Sequence, residues 1–268
     1  MKALLVKDPL CTRQSLANDL RTLGIKKGEI ILLHSSLSSL GWVSGGAETV
    51  IHALLDTLSD TGTLVVPAHS GDNSDPGKWQ NPAVPEEWHA TIRDTMPGYD
   101  ARTTHTWRMG AIAETVRTWP GAVRSAHPQT SFAAVGCKAA ELVADHAVDC
   151  LLGEESPLAR LEAANARILL LGVGFQQCTA FHLAEYRVST TQEDVSFAVC
   201  TPHGREWVTI QDTALSDDGF DQLGLDFERE RPGVKGTIGG ASARLFSLPS
   251  AVDYAQSWLP KHRYGMAE

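Results

Sequence analysis

Two short runs of uninterrupted aliphatic residues, Ile30-Ile31-Leu32-Leu33 and Ile168-Leu169-Leu170-Leu171, constrain this chain more than any other feature. A strand with four consecutive apolar residues has no polar face to offer water. Both of its faces must be covered, as in the interior of a parallel sheet flanked by helices. The first run leads into a loop of small and hydroxyl residues, His34 to Gly46, and then a helical pattern in which Val50, Leu54 and Leu58 share a face. Gly62-Thr63-Leu64-Val65-Val66-Pro67 reads as a third strand. The order strand, helix, strand predicts an α/β fold with a parallel or mixed sheet.

The second run ends in Gly172-Val173-Gly174 and is followed by Thr179-Ala180-Phe181-His182-Leu183-Ala184-Glu185-Tyr186-Arg187. Thr179 is the expected N-cap of a new helix. His182 then falls in its first turn, at the strand-to-helix crossover where open α/β sheets bind ligands. Glu185, three residues on, shares a face with it. A histidine there is a candidate general base, because imidazole titrates near neutrality. The alternative is a core histidine bonded to a backbone carbonyl.

The remaining pattern supplies the surroundings. Residues 12–23 form an amphipathic helix ended by Gly24, with Leu16, Leu20 and Leu23 on one face. Residues 69–108 break the pattern with Pro76, Pro82, Pro85 and Pro97 and with Trp79, Trp88, Tyr99 and Trp107. An irregular segment this long is expected to serve function as a lid or binding wall, with carboxylates able to face a cation. Ala111–Arg117 is a helix, Ser131 to Gly136 a strand, and Ser156-Pro157 a helix start. A hairpin flanks Pro202-His203-Gly204-Arg205, with Asp212 just beyond its second strand. Phe220, Leu223 and Phe227 mark a helix face. Ile238–Phe246 reads as one Gly-rich strand segment, and Leu248-Pro249-Ser250 opens a final helix.

Charge and cysteine usage narrow the function classes. The net charge is −9 and no basic run occurs, which argues against a nucleic-acid partner. The five cysteines are isolated, without a Cys-x-x-Cys, so neither a disulfide framework nor a zinc ribbon is expected, and no metal. No apolar run reaches membrane-spanning length, and Met1–Asp8 lacks the apolar core of a leader, so a cytoplasmic protein without a membrane partner is expected.

Taken together, several ordered motifs resemble the aminoglycoside 3-N-acetyltransferase family. They are His34-Ser35-Ser36-Leu37 with Gly45-Gly46, the Gly62–Pro67 strand, Arg124-Ser125 with His127-Pro128, Ser131-Phe132, Gly153 with Ser156-Pro157, and above all His182-Leu183-Ala184-Glu185. The resemblance runs from about residue 12 to residue 259. It implies a single domain over 1–268, a three-layer α/β/α fold with a central mixed sheet, an insertion at about 69–108 and a C-terminal hairpin-helix region. It further implies acetyl-CoA as donor, an amine as acceptor, most simply the 3-amino group of an aminoglycoside, and direct transfer in a ternary complex. His182 matches the catalytic histidine. Asp212, five residues after Trp207, matches an acidic position that supports it, and Glu185 is the rival partner. His34, Ser35, Ser36, Leu37 and Val43, with Ser131 and Phe132, match the segments beside the pantetheine arm and thioester. The oligomeric state stays open, a homodimer included.

Four competing readings accompany this one. The acceptor is another small amine; or Cys178, four residues before His182, forms an acyl-enzyme; or Ser36 or Cys178 with His182 and Asp212 makes a hydrolase, against which the lack of Gly-x-Ser-x-Gly speaks. A CoA-binding module without catalysis is disfavoured by the presence of both His182 and Asp212.

Overall fold

The computed structural model describes residues 9–263. Met1–Asp8, the segment expected to lack a leader, lies outside the described residues. In chain order the elements are β1 (Leu10–Cys11), α1 (Arg13–Leu23), β2 (Ile30–Ser35), β3 (Trp42–Val43), α2 (Gly46–Leu58), β4 (Thr63–Pro67), α3 (His89–Thr95), α4 (Gly110–Arg117), β5 (Val123–Arg124), β6 (Phe132–Gly136), α5 (Ala139–Val143), α6 (Pro157–Ala163), β7 (Arg167–Leu171), α7 (Ala180–Val188), β8 (Gln192–Thr201), β9 (Gly204–Thr213), α8 (Phe220–Glu230), β10 (Val234–Ile238), β11 (Ala241–Ser247) and α9 (Leu248–His262).

The two aliphatic runs lie side by side at the centre. The main sheet has the order β10-β11-β7-β2-β4-β6-β5. Strands β7, β2 and β4 are parallel, with Leu32 opposite both Ile168 and Val65. Antiparallel strands complete both sides, so the sheet is mixed. Alternation along each strand divides the aliphatic side chains between two cores. Ile30, Leu32, Ile168 and Leu170 pack against α5 to α9. Ile31, Leu33, Leu169 and Leu171 pack against α1, α2 and α4. The result is a three-layer α/β/α arrangement in which each buried Leu or Ile contributes roughly 1.5–3 kcal/mol.

Local chemistry places the helix ends where the sequence implies. Thr12 and Ser15 form a reciprocal capping box at the start of α1, and Gly24 ends it in the left-handed conformation. The Ser156 hydroxyl accepts from the Leu158 amide, with Pro157 behind it, and starts α6. Thr179 behaves differently. It precedes α7 but is itself helical in backbone, directly after a non-helical Cys178 (ψ 83°), and makes no side-chain cap bond.

Two C-terminal expectations are corrected. The hairpin is longer than its flanking pattern suggests, and Asp212 lies inside β9, opposite Glu193. Ile238–Phe246 is not one strand: Gly239, with φ of +56°, turns β10 back on β11. A Cβ on Gly239 would stand 2.6 Å from Cys11 Sγ and 2.7 Å from the Leu40 carbonyl, so the turn needs glycine on both conformational and spatial grounds.

The 69–108 insertion carries short turns at Pro76–Lys78 and Glu86–Trp88 as well as α3. It is fastened to the β8–β9 hairpin. The Asn73 side chain donates to the Ala198 carbonyl and accepts from its amide, both at 2.9 Å, while Tyr99 bridges to Val199. Asp75 and Asp100 are already occupied by Arg93 and Arg102. Among the described residues no helix is long and apolar enough to cross a membrane.

Candidate active site

A cavity of about 590 Å³ opens at the carboxyl ends of the parallel strands. Strand β2 brings Leu33, His34 and Ser35 to its floor, and β4 brings Pro67. The following loop adds Ser36, Leu37, Ser38, Gly41, Trp42 and Val43, with Trp42 57% exposed at the rim. Five expected cofactor contacts, His34, Ser35, Ser36, Leu37 and Val43, therefore line one space. Ser131 and Phe132 do not. Both are fully buried; the Ser131 hydroxyl donates to the Ala68 carbonyl and accepts from Arg124, and Phe132 packs in the core on the α5–α9 side.

Two helix N-termini converge on the cavity. Gly45 and Gly46, with φ of +83° and +60°, open α2, and Met109 and Gly110 open α4. Free backbone N–H groups at such termini favour anions. Arg108 stands beside them in the left-handed region, φ +58°, where a side chain costs about 1–2 kcal/mol. Its guanidinium donates to the Asn81 carbonyl and lies over Trp107. Backbone strain held at a cavity wall is characteristic of a functional site.

The hydroxyls near the floor are engaged with one another. Ser39 donates to Ser36, and Ser36 lies 3.2 Å from Ser38. Ser36 thus makes no bond to a histidine that would activate it as a nucleophile. His34 is buried, and burial lowers its imidazole to about 3, so it is neutral.

Gln177 and Thr179 carry the cavity wall to the start of α7, and His182 follows in the first turn of that helix. His182 Nδ1 lies 2.8 Å from Glu185 Oε2. The Glu185 side chain is only 1% exposed and that of His182 16%. The other carboxylate oxygen, Oε1, accepts from the Ser216 amide at 3.0 Å and from Arg263 Nη1 at 2.5 Å. Phe220 packs beside the imidazole, with ring centres 4.9 Å apart.

Asp212, the other expected partner, is bonded elsewhere. Its Oδ2 accepts from the Leu151 amide at 2.7 Å and from the Tyr186 hydroxyl, and its Oδ1 from the Thr213 amide. Its place inside β9 aims it at the loop before α6 and at the second turn of α7. Burial and the Asp212 bond raise the Tyr186 phenol well above its ordinary value. Cys178 is fully buried, and burial pushes its thiol up to about 12. Among the described residues no group of three or more His, Cys, Asp or Glu side chains is arranged to hold a metal ion.

Two site residues escape a local reading of the sequence. Arg108 looks like one charge among many in the insertion, and Arg263 lies 78 positions from the carboxylate it meets. Only tertiary structure joins them to the site.

Comparison with known proteins places this architecture. The family model for aminoglycoside 3-N-acetyltransferase matches residues 32–260. The SPbeta prophage-derived aminoglycoside N(3')-acetyltransferase-like protein YokD of Bacillus subtilis is 44% identical over 92% of both chains. Its crystal structure superposes with a TM-score of 0.93 over 96% of each chain. Aminoglycoside N(3)-acetyltransferase III of Pseudomonas aeruginosa is 34% identical over 95% of both chains. The structure of AAC-IIIb in binary complex with CoASH has a TM-score of 0.82 and 32% identity, covering 94% of this chain and 97% of its own. The chain belongs to the aminoglycoside 3-N-acetyltransferase family, and is by that membership an acyltransferase.

Proposed function

We propose that the protein transfers the acetyl group of acetyl-CoA to the 3-amino group of the 2-deoxystreptamine ring of an aminoglycoside, by direct attack with His182 as general base. The observation that carries this reading is the hydrogen bond from His182 to the buried Glu185 at 2.8 Å. With Nδ1–H donated to the carboxylate, Nε2 keeps its lone pair for a substrate proton. Amines of aminocyclitols are largely protonated at neutral pH, and a base must take the proton as nitrogen attacks the thioester carbonyl. Glu185 holds the tautomer and stabilises the imidazolium that forms; Asp212 instead anchors the loop at Leu151 to α7.

The cavity supports the donor assignment. Its anion-favouring end, at α2, α4 and Arg108, suits the phosphates of CoA, and the strand end at Ser35–Leu37 suits the pantetheine arm. The CoASH complex of AAC-IIIb supports a CoA cosubstrate by homology. Backbone and hydroxyl donors near Ser35 and Ser36 are the candidates for stabilising the oxyanion.

The test is thiol release from acetyl-CoA with a panel of aminoglycosides and simple amines, with product mass. Release that needs an amine supports transfer, whereas release without one indicates hydrolysis. His182→Ala should lower kcat about 10²–10⁴-fold while calorimetric CoA affinity stays close to wild type. Full turnover in that variant would remove the base assignment.

A further inference from the structure

We propose that Arg263, the residue that closes α9, is a positioning residue for the His182–Glu185 pair: it takes half of the Glu185 carboxylate and keeps the pair electrically balanced, so that the imidazole stands ready as a base. This inference rests on His182 acting as the base.

The Glu185 carboxylate is divided between two cationic or potentially cationic partners. Oε2 faces His182 Nδ1, and Oε1 receives Arg263 Nη1 at 2.5 Å with the Ser216 amide beside it. Arg263 is itself largely covered, with 16% of its side chain exposed. Its guanidinium lies 5.3 Å from the Phe220 ring centre and donates to the Asp218 carbonyl. Phe220 also packs on His182, so imidazole and guanidinium both lie against one aromatic ring.

Charge counting gives the consequence. Carboxylate, guanidinium and neutral imidazole sum to zero, and protonating the imidazole creates a buried positive charge. Without Arg263 the sum is −1, and protonation neutralises the cluster. At low local dielectric that difference favours a protonated imidazole, which is no base. The guanidinium also occupies the oxygen that a substrate ammonium would otherwise claim, which reserves Glu185 for His182.

The other groups near His182 do not replace this charge. His69, from the segment after β4, is electrostatically coupled to His182, but burial lowers it to about 3 and keeps it neutral. Asp217, on the segment entering α8, is held by the side-chain amide of Gln176, and Asp221, in the first turn of α8, by its backbone amide. Tyr186 and Asp212 are bonded to each other one turn further along α7.

The experiment is the pH dependence of kcat/KM for wild type, Arg263→Gln and Arg263→Lys, with urea unfolding as a check on the fold. Arg263→Gln should move the acidic limb upward by about one pH unit. Well below the limb this appears as about a tenfold loss, which disappears at high pH. Arg263→Lys should restore the limb. In a Glu185→Gln background, Arg263→Gln should still raise the limb, because the guanidinium opposes a second positive charge on the imidazole whether or not the carboxylate is ionised. A purely structural arginine would lower activity evenly at all pH, and an unmoved limb of that kind overturns the proposal. If glutamine is not tolerated, Arg263→Met, which fills the space without charge, gives the same comparison against lysine. His182→Ala assayed in parallel separates the two failures. Turnover retained there defeats the base assignment, while an unmoved limb with His182→Ala inactive defeats the role of Arg263 alone.

Discussion

His182 and Glu185 show how much of a site local spacing can carry. An i, i+3 pair on a helix meets by geometry alone, so their contact was legible once the helix was recognised. Which acid partners the histidine was not, because Asp212 is 30 positions away and its reach depends on the register of β9. The two carboxylates should now separate in experiment. Glu185→Gln should lower kcat by about 10²–10⁴-fold with little change in CoA affinity. Asp212→Asn should leave most of the turnover but lose about 1–3 kcal/mol in urea unfolding, since it weakens buried bonds to Leu151 and Tyr186. The reverse order of kinetic losses would return the orienting role to Asp212. Cys178→Ala should leave turnover unchanged. With the thiol pushed up to about 12, the thiolate fraction at pH 7 is on the order of 1 in 10⁵. An acetylated Cys178 trapped by mass spectrometry would contradict that.

At the scale of elements, part of the cavity wall continues directly from a strand and part arrives from distant sequence. Ser35, Ser36, Leu37 and Val43 come at the end of β2 or within a few residues of it, and a small-residue loop at a strand end announces them. The N-terminus of α4 and Arg108 come from the far end of the insertion, and nothing in residues 108–110 points to β2. The same limit explains Ser131 and Phe132. Their strand is real, but its side chains alternate into the Arg124 network and the core and do not reach the cavity. Likewise a turn of two glycines between short strands of small residues looks continuous until register is known. Arg108→Ala should raise the KM for acetyl-CoA about ten- to a hundredfold, the range expected for losing a charge-assisted hydrogen bond, and leave kcat near wild type. The KM of the wild type should rise with salt, and that of the variant less so. A KM for acetyl-CoA unaffected by the substitution would place the phosphates elsewhere.

Across the whole molecule, the three-layer fold stems from the aliphatic runs, since four apolar residues in a row demand cover on both faces. The histidines buried around that sheet give it a pH dependence. Burial lowers His34 to about 3, His127 to about 2 and His146 to about 4. His127 also accepts backbone amides of Gln129 and Thr130 on Nδ1, an arrangement that requires the neutral ring. In the unfolded chain these groups titrate near 6.5. Their folded values are depressed, so the stability they permit is complete above about 6.5 and is lost as pH falls toward the folded values. Each proton taken up only by the unfolded chain costs about 1.4 kcal/mol per pH unit in that window. Urea midpoints at pH 7.5, 6 and 4.5 should therefore decline well before the carboxylates titrate. A flat midpoint from pH 7 to pH 5 would show that these rings are not held neutral.

The order of strands in the main sheet also bears on how the protein is made. Strand β2 emerges early from a ribosome, yet its neighbour β7 is coded far downstream, and β7 in turn waits for β11. The cover of one face, built from α5 to α9, is complete only when α9, which packs beside α7, has been translated. Pairings between distant segments are slow to form and leave apolar surface open in the meantime. The nascent chain must therefore carry part of one aliphatic face incompletely covered until late in its synthesis, a period in which chaperone capture competes with aggregation.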